Sequence, residues 1–235
     1  MSAYDCIFVN GDSYSAPQDN KVYADFLGDS LGIPVKNYAS AGSNNDRILR
    51  TSIEFLNQIK TEYKNPLVII GWSFVNRIEI WEDRENLSIL DKIPDRNYFP
   101  GTKFITIDHL LNSNSATVEQ KSLVLNDTHR HKQLMNFYTN LYLFCHLLDL
   151  LNFDYRFFSA ADNKRFFSTD YPTLDLHSQV QWVKNNKKNY KFDSFCVQQW
   201  ANINDSECNP TTGHLSENGH KKFAKVLLDI IKETA

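Results

Sequence analysis

Cys6-Ile7-Phe8-Val9-Asn10-Gly11-Asp12-Ser13-Tyr14-Ser15 is the stretch on which the fold of this chain turns. Its first four residues, Cys6 to Val9, are apolar without a polar break, the pattern of a strand buried on both faces of a parallel sheet. The run stops at Asn10-Gly11-Asp12-Ser13, residues that favour turns and left-handed backbone. Beyond it, Tyr23, Phe26, Leu27 and Leu31 recur at helical spacing. Strand, tight turn and helix place Ser13 at the carboxyl end of a strand, where open α/β sheets bind their ligands. A plain βα loop has the same look, and the rest of the chain has to separate the two.

The rhythm repeats. Ile33 to Tyr38 reads as a second strand, followed by the small, turn-forming Ala39-Ser40-Ala41-Gly42-Ser43-Asn44-Asn45. Leu49, Ile53, Leu56 and Ile59 then mark one face of an amphipathic helix, which Asn44 or Asn45 can cap. Leu67 to Ile70 forms a third buried strand that stops at Gly71-Trp72-Ser73. Alternation of this kind predicts right-handed crossovers and a parallel sheet covered by helices. From about Trp81 to Asn126 prolines, Gly101 and an Asn/Ser-rich stretch break the pattern, which predicts an insertion of loops and short elements folded over the site. Apolar residues at 134, 137, 138, 141, 144, 145, 148 and 151 predict a long buried helix. Phe153 to Phe158 reads as a fourth strand and Phe192 to Val197 as a fifth. Phe223, Val226, Leu227, Ile230 and Ile231 form the stripe of a final helix, with Ser216 placed as its N-cap.

Composition narrows the function classes. The chain has 235 residues, 42% of them hydrophobic, enough for one substantial core, so a single domain over 1–235 with the insertion at about 81–126 is expected. The net charge is −3 with both signs mixed and no basic face, which excludes the footprint of a nucleic-acid binder. Four cysteines, none in a CxxC pair, speak against a disulfide scaffold. No apolar stretch approaches the ~20 residues of a membrane span, and no signal sequence stands at Met1, so no membrane partner and a cytoplasmic location are expected. His129-Arg130-His131 lacks nearby Cys or Asp partners for a metal, and His220 falls in the first turn of the last helix, where a structural role is expected. Trp182 and Trp200 could supply sugar-stacking surfaces, but buried or half-buried packing is the commoner use of tryptophan and is the role expected of them. Oligomeric state is not encoded in any of these patterns.

Three strand ends, at Ser13, Gly42 and Ser73, and the start of the last helix, at His214, open on one edge of a parallel sheet. A serine hydroxyl needs a base, and histidine titrates near neutrality. The oxyanion that follows attack needs fixed donors, typically backbone N–H groups beside glycine and a polar side chain. Asp12 is expected to organise the turn around Ser13 through its own backbone hydrogen bonds. Trp72 and Arg77, just after the third strand, are candidates to touch substrate.

Gly11-Asp12-Ser13-Tyr14-Ser15 resembles the first sequence block of the SGNH hydrolases, the GDSL esterases and lipases. Asn37-Tyr38-Ala39-Ser40-Ala41-Gly42 is similar to their second block. Thr211-Thr212-Gly213-His214-Leu215-Ser216-Glu217-Asn218-Gly219-His220 is similar to their last. The resemblance implies a flavodoxin-like three-layer α/β/α sandwich with a central, mostly parallel sheet. It implies Ser13 as nucleophile, His214 as base, an oxyanion hole from the Ser13 and Gly42 N–H groups, and no cofactor or metal. The chain departs from the pattern twice. Ser73 stands where the family has an oxyanion asparagine, with Asn76 three residues on as a substitute. Thr211 stands where the family has the aspartate that orients the histidine. A dyad, a backbone carbonyl, or a carboxylate from Asp205 or Glu207 are the ways to replace it. An orienting carboxylate carries about 10⁴ in kcat in a serine protease. The expected activity is hydrolysis of an acyl, first of all acetyl, ester on a carbohydrate or small molecule. A weak or inactive SGNH-like binding or assembly module, and an acyltransferase, are the alternatives.

Overall fold

The computed structural model describes residues 3–75, 77, 130–160, 174, 176–189, 195–209 and 213–234. The expected insertion at about 81–126, Asn76 and Thr211 lie outside these residues. Among the described residues four strands, β1 (Cys6–Gly11), β2 (Val35–Asn37), β3 (Pro66–Trp72) and β4 (Asp154–Ser159), form one all-parallel sheet in the order β2-β1-β3-β4. Among the described residues six helices flank it: α1 (Tyr23–Leu31), α2 (Asn45–Glu62), α3 (Arg130–Leu150), α4 (Ser178–Asn185), α5 (Val197–Asn204) and α6 (Glu217–Thr234). The result is a three-layer α/β fold. Among the described residues no helix is long and apolar enough to cross a membrane.

β1 and β3 are buried at every position, as their unbroken apolar runs require. Successive side chains still part to opposite faces. Ile7, Val9, Leu67 and Ile69 pack with Tyr23 and Leu27 of α1 and Phe223 and Leu227 of α6. Phe8, Val68, Ile70 and Trp72 pack on the other face with Phe55 and Leu56 of α2 and Leu141 and Phe144 of α3. Each such side chain, fully buried, contributes about 1.5–3 kcal/mol relative to exposure. β2 lies on one side of β1 and β3 on the other, with α1 and α2 on opposite faces, which is what two crossovers of the same hand produce. The chain order therefore reverses between β1 and β3, and the crevice at such a switch point is where doubly wound sheets bind ligands.

Two expectations need correction. The buried side of α2 is Arg47, Ile48, Thr51, Ser52, Phe55, Leu56 and Ile59, whereas Ile53 is 38% exposed. The stripe is rotated because buried Asn10, on β1, donates from Nδ2 to Thr51 Oγ1 (2.8 Å), Ser52 Oγ (2.9 Å) and the Ile48 carbonyl (3.2 Å). A buried amide must be hydrogen-bonded, so it draws the polar residues of the helix inward. The fifth strand expected over Phe192–Val197 fails over its described end. Cys196 caps α5, its Sγ accepting the Gln199 N–H, and Val197 is the first helical residue. The free side of β4 is instead met by an isolated parallel bridge between Phe157 and Asn189.

Candidate functional site

Ser13 stands two residues past the end of β1, and His214 two residues before its helix cap. Their side chains meet: Ser13 Oγ lies 2.8 Å from His214 Nε2. The segment carrying His214 is fixed from both ends. The Asn209 N–H donates to the His214 carbonyl (3.0 Å) and the Gly213 N–H to the Asn209 carbonyl (2.7 Å). On the other side Ser216 caps α6, its Oγ accepting the Gly219 N–H at 3.0 Å. Asp205 holds that cap, accepting from the Ser216 N–H and Oγ, both at 2.7 Å. The Tyr14 ring, next to the serine, packs on the imidazole with centroids 4.7 Å apart. Tyr14 is a site residue with no local sign in the sequence beyond its adjacency to Ser13.

Beneath the serine, Asp12 is wholly buried. Its Oδ1 accepts the Tyr14 N–H (3.1 Å), the expected turn-organising bond, and its Oδ2 accepts the Ser73 hydroxyl (2.7 Å). Arg77 Nη1 lies 3.6 Å from the same Oδ2 and donates to Ser73 Oγ (2.8 Å) and the Ser43 carbonyl (3.3 Å). A hydroxyl has one proton, and that of Ser73 goes to Asp12. Ser73 thus stands at the expected strand end, but its hydroxyl has no proton left for an oxyanion, which corrects its expected role. Its backbone is pinned by Asn45, whose Oδ1 accepts the Ser73 N–H (2.8 Å) and whose Nδ2 donates to the Ser73 carbonyl (3.2 Å). Asn44, not Asn45, caps α2.

Gly42 lies in the loop after β2. The Ser40 N–H donates to the Gly11 carbonyl (3.1 Å), tying this loop to the end of β1, and the Ser43 N–H closes a turn on the Ser40 carbonyl. Gly42 takes the third position of that turn with φ +80°, which disfavours any residue with a Cβ. Ser13, Gly42, Ser73 and Arg77 are therefore brought to one sheet edge together with His214. Trp72 is not. It is 1% exposed and sits among Phe137, Phe144 and Phe157, so it is core and not a substrate contact. Its parity with Val68 and Ile70 on β3 is the signal that places it there. Trp200 packs on Phe223, and Trp182 on Tyr142 and His146. His220 is buried in a stack on Tyr23.

Charge at the site follows from burial. Desolvation pushes the Asp12 carboxyl up, while the Ser73 hydroxyl, Arg77 and the Tyr14 N–H act in the opposite sense. Burial also holds the His214 imidazole below its ordinary value; Asp12 opposes this and Arg77 adds to it. Near neutral pH the imidazole is accordingly uncharged and able to accept a proton. For Asp205, burial pushes upward but the hydrogen bonds from Ser216 and Glu207 prevail and lower it. Asp205 is thus committed to the α6 cap, and the Glu207 side chain is exposed, while Thr211 lies outside the described residues. Among the described residues no group of three or more His, Cys, Asp or Glu is placed to hold a metal ion.

The sequence profile of a family of unknown function, DUF6071, matches residues 15–171. The chain belongs to that family. The DUF6071 match covers β1's trailing turn from Ser15, the β2 loop with Gly42, and β3 with Ser73 and Arg77, and it stops short of Ser13 and His214 on either side. No curated protein matches the chain.

Proposed function

We propose that this DUF6071 protein is a serine esterase of the SGNH type, hydrolysing an acyl ester, first of all an acetyl ester, on a carbohydrate or other small polar molecule. The observation that carries the reading is the 2.8 Å approach of Ser13 Oγ to His214 Nε2, made by residues from opposite ends of the chain. A nucleophile and a base within hydrogen-bond reach, at the switch point of a parallel sheet, are what acyl transfer requires. Ser13 Oγ attacks the ester carbonyl as His214 Nε2 takes its proton, and the oxyanion is received by the Ser13 and Gly42 N–H groups. Collapse breaks the bond to the alcohol oxygen, which leaves with the proton from His214. Water, deprotonated by His214, then releases the acid from the acyl-enzyme. The Arg77 guanidinium, partly exposed beside the site, favours a polar ester over a lipid chain.

The direct test is labelling by a fluorophosphonate probe and turnover of p-nitrophenyl acetate, in wild type and Ser13→Ala. Labelling and turnover are expected in wild type alone. Equal signals in both proteins would sink the esterase reading.

A further inference from the structure

In the sequence pattern that the chain resembles, a side-chain donor at the end of β3 joins the Ser13 and Gly42 N–H groups in the oxyanion hole, and here Ser73 at that place gives its proton to Asp12. Arg77 has several. Its Nη1 is held by Ser73 Oγ (2.8 Å), the Ser43 carbonyl (3.3 Å) and, at 3.6 Å, the Asp12 carboxylate. The guanidinium also lies over the Phe74 ring, its carbon 4.6 Å from the centroid. These contacts leave Nη2 without a hydrogen-bond partner among the described residues, and Nε is buried without one. The side chain keeps 17% exposure, so the group is braced but not sealed. It is anchored between Ser43, the residue after Gly42, and Ser73, that is, between the two loops that converge on the nucleophile.

We propose that Arg77 is a catalytic residue, its guanidinium Nη2 donating to the oxyanion on the ester carbonyl in the place the sequence pattern assigns to Ser73. This rests on the esterase reading above. The charge balance favours it. An oxyanion formed near the buried Asp12 carboxylate meets a like charge, and Arg77 offsets Asp12 while presenting a further N–H to the new one. Arginine can do both because its planar fork carries five donors, whereas a serine hydroxyl carries one.

The test is a crystal structure of the wild-type protein carrying a methylphosphonyl group on Ser13, together with the kinetics of Arg77→Met on p-nitrophenyl acetate. The expected result is a non-bridging phosphonyl oxygen within about 3.2 Å of the Arg77 guanidinium. Arg77→Met should lose about 10²–10³ in kcat, the usual effect of one missing oxyanion donor, with KM changed by less than about threefold. An adduct oxygen held by the Ser13 and Gly42 N–H groups alone, with the guanidinium turned away, overturns the assignment. So does a folded Arg77→Met whose kcat stays within about threefold of wild type. If Arg77→Met does not fold, the wild-type adduct decides. If wild type takes no phosphonyl group on Ser13, the esterase reading falls and Arg77 falls with it. A labelled Ser13 without the Arg77 contact removes Arg77 alone.

Discussion

The Asp205 carboxylate fills the space in which a side chain at Gly219 would begin: a Cβ there would lie 2.6 Å from Asp205 Cγ. The glycine is what lets the carboxylate reach Ser216 and hold the start of α6, and through it the segment that carries His214. In an ordinary helix turn Gly→Ala gains about 1 kcal/mol. Here Gly219→Ala should instead cost about 1–3 kcal/mol, as overpacked sites do. Thermal unfolding of Gly219→Ala in the wild-type and Asp205→Ala backgrounds measures the effect. The penalty should vanish once the carboxylate is gone; a Gly219→Ala that stabilises the wild-type chain contradicts the close approach.

His214 sets the acid limb of activity. Burial holds its imidazole below the ordinary value, so kcat/KM for p-nitrophenyl acetate should rise through an apparent pKa below about 6.5 and level off above it. Asp12 acts to raise that value and Arg77 to lower it. Asp12→Asn should move the limb to lower pH and Arg77→Met to higher pH, read from the residual activity of each. Movement of both variants in the same direction would contradict the placement of these two charges around the imidazole.

How far the site was legible depends on the range of the interaction. The turn after β1, the glycine after β2 and the histidine before α6 each carry a local signature, and parallel topology alone brings their strand ends together. Ser216 as cap of α6 was readable for the same reason, since a cap is set by residues three apart. What escaped were choices made between distant groups. Which acceptor takes the Ser73 proton depends on Asp12, across the β1–β3 switch point. The face α2 buries depends on Asn10, a polar residue in a strand that hydrophobic period alone treats as noise. Val197 reads as strand because it closes the apolar run Phe195-Cys196-Val197, and the cap at Cys196 gives only a weak sequence signal. Trp72 was within reach: its parity along β3 points to the core.

His220 makes stability depend on pH. Both ring nitrogens are buried without a hydrogen-bond partner among the described residues, and burial drives the imidazole down to about 4, against the weaker pull of Asp205 and Asp25. Between about 6.5 and 4 the unfolded chain takes up a proton that the folded chain refuses, so stability falls as the pH drops through that window. The full effect is about 3 kcal/mol, complete near the folded-state value. Urea unfolding at several pH values should show this slope in wild type and a flatter one in His220→Phe, which keeps a ring against Tyr23. Asp12, whose raised value acts in the opposite sense, is common to both proteins and drops out of the comparison. Parallel slopes would show that His220 does not titrate in this way.

Asn45 joins α2 to the far side of the site. Its side-chain oxygen takes the Ser73 N–H at 2.8 Å and its amide reaches the Ser73 and Phe74 carbonyls at 3.2 and 3.4 Å. These bonds fix the segment from which Ser73 faces Asp12 and Arg77 faces Ser43. Asn45→Ala removes them and leaves the Ser73 N–H without its partner, for a cost of about 1–3 kcal/mol. Asn45→Asp keeps an acceptor for that N–H but replaces the amide donor by an oxygen facing two carbonyls, so it should restore only part of the loss. Because Asn45 touches neither Ser13 nor His214, it is a positioning residue. Its removal should lower kcat on p-nitrophenyl acetate while the pH of the acid limb, set by His214, stays within a few tenths of a unit of wild type. A shift of that limb as large as the one in Arg77→Met would mean that Asn45 acts on the charges of the site and not on its backbone.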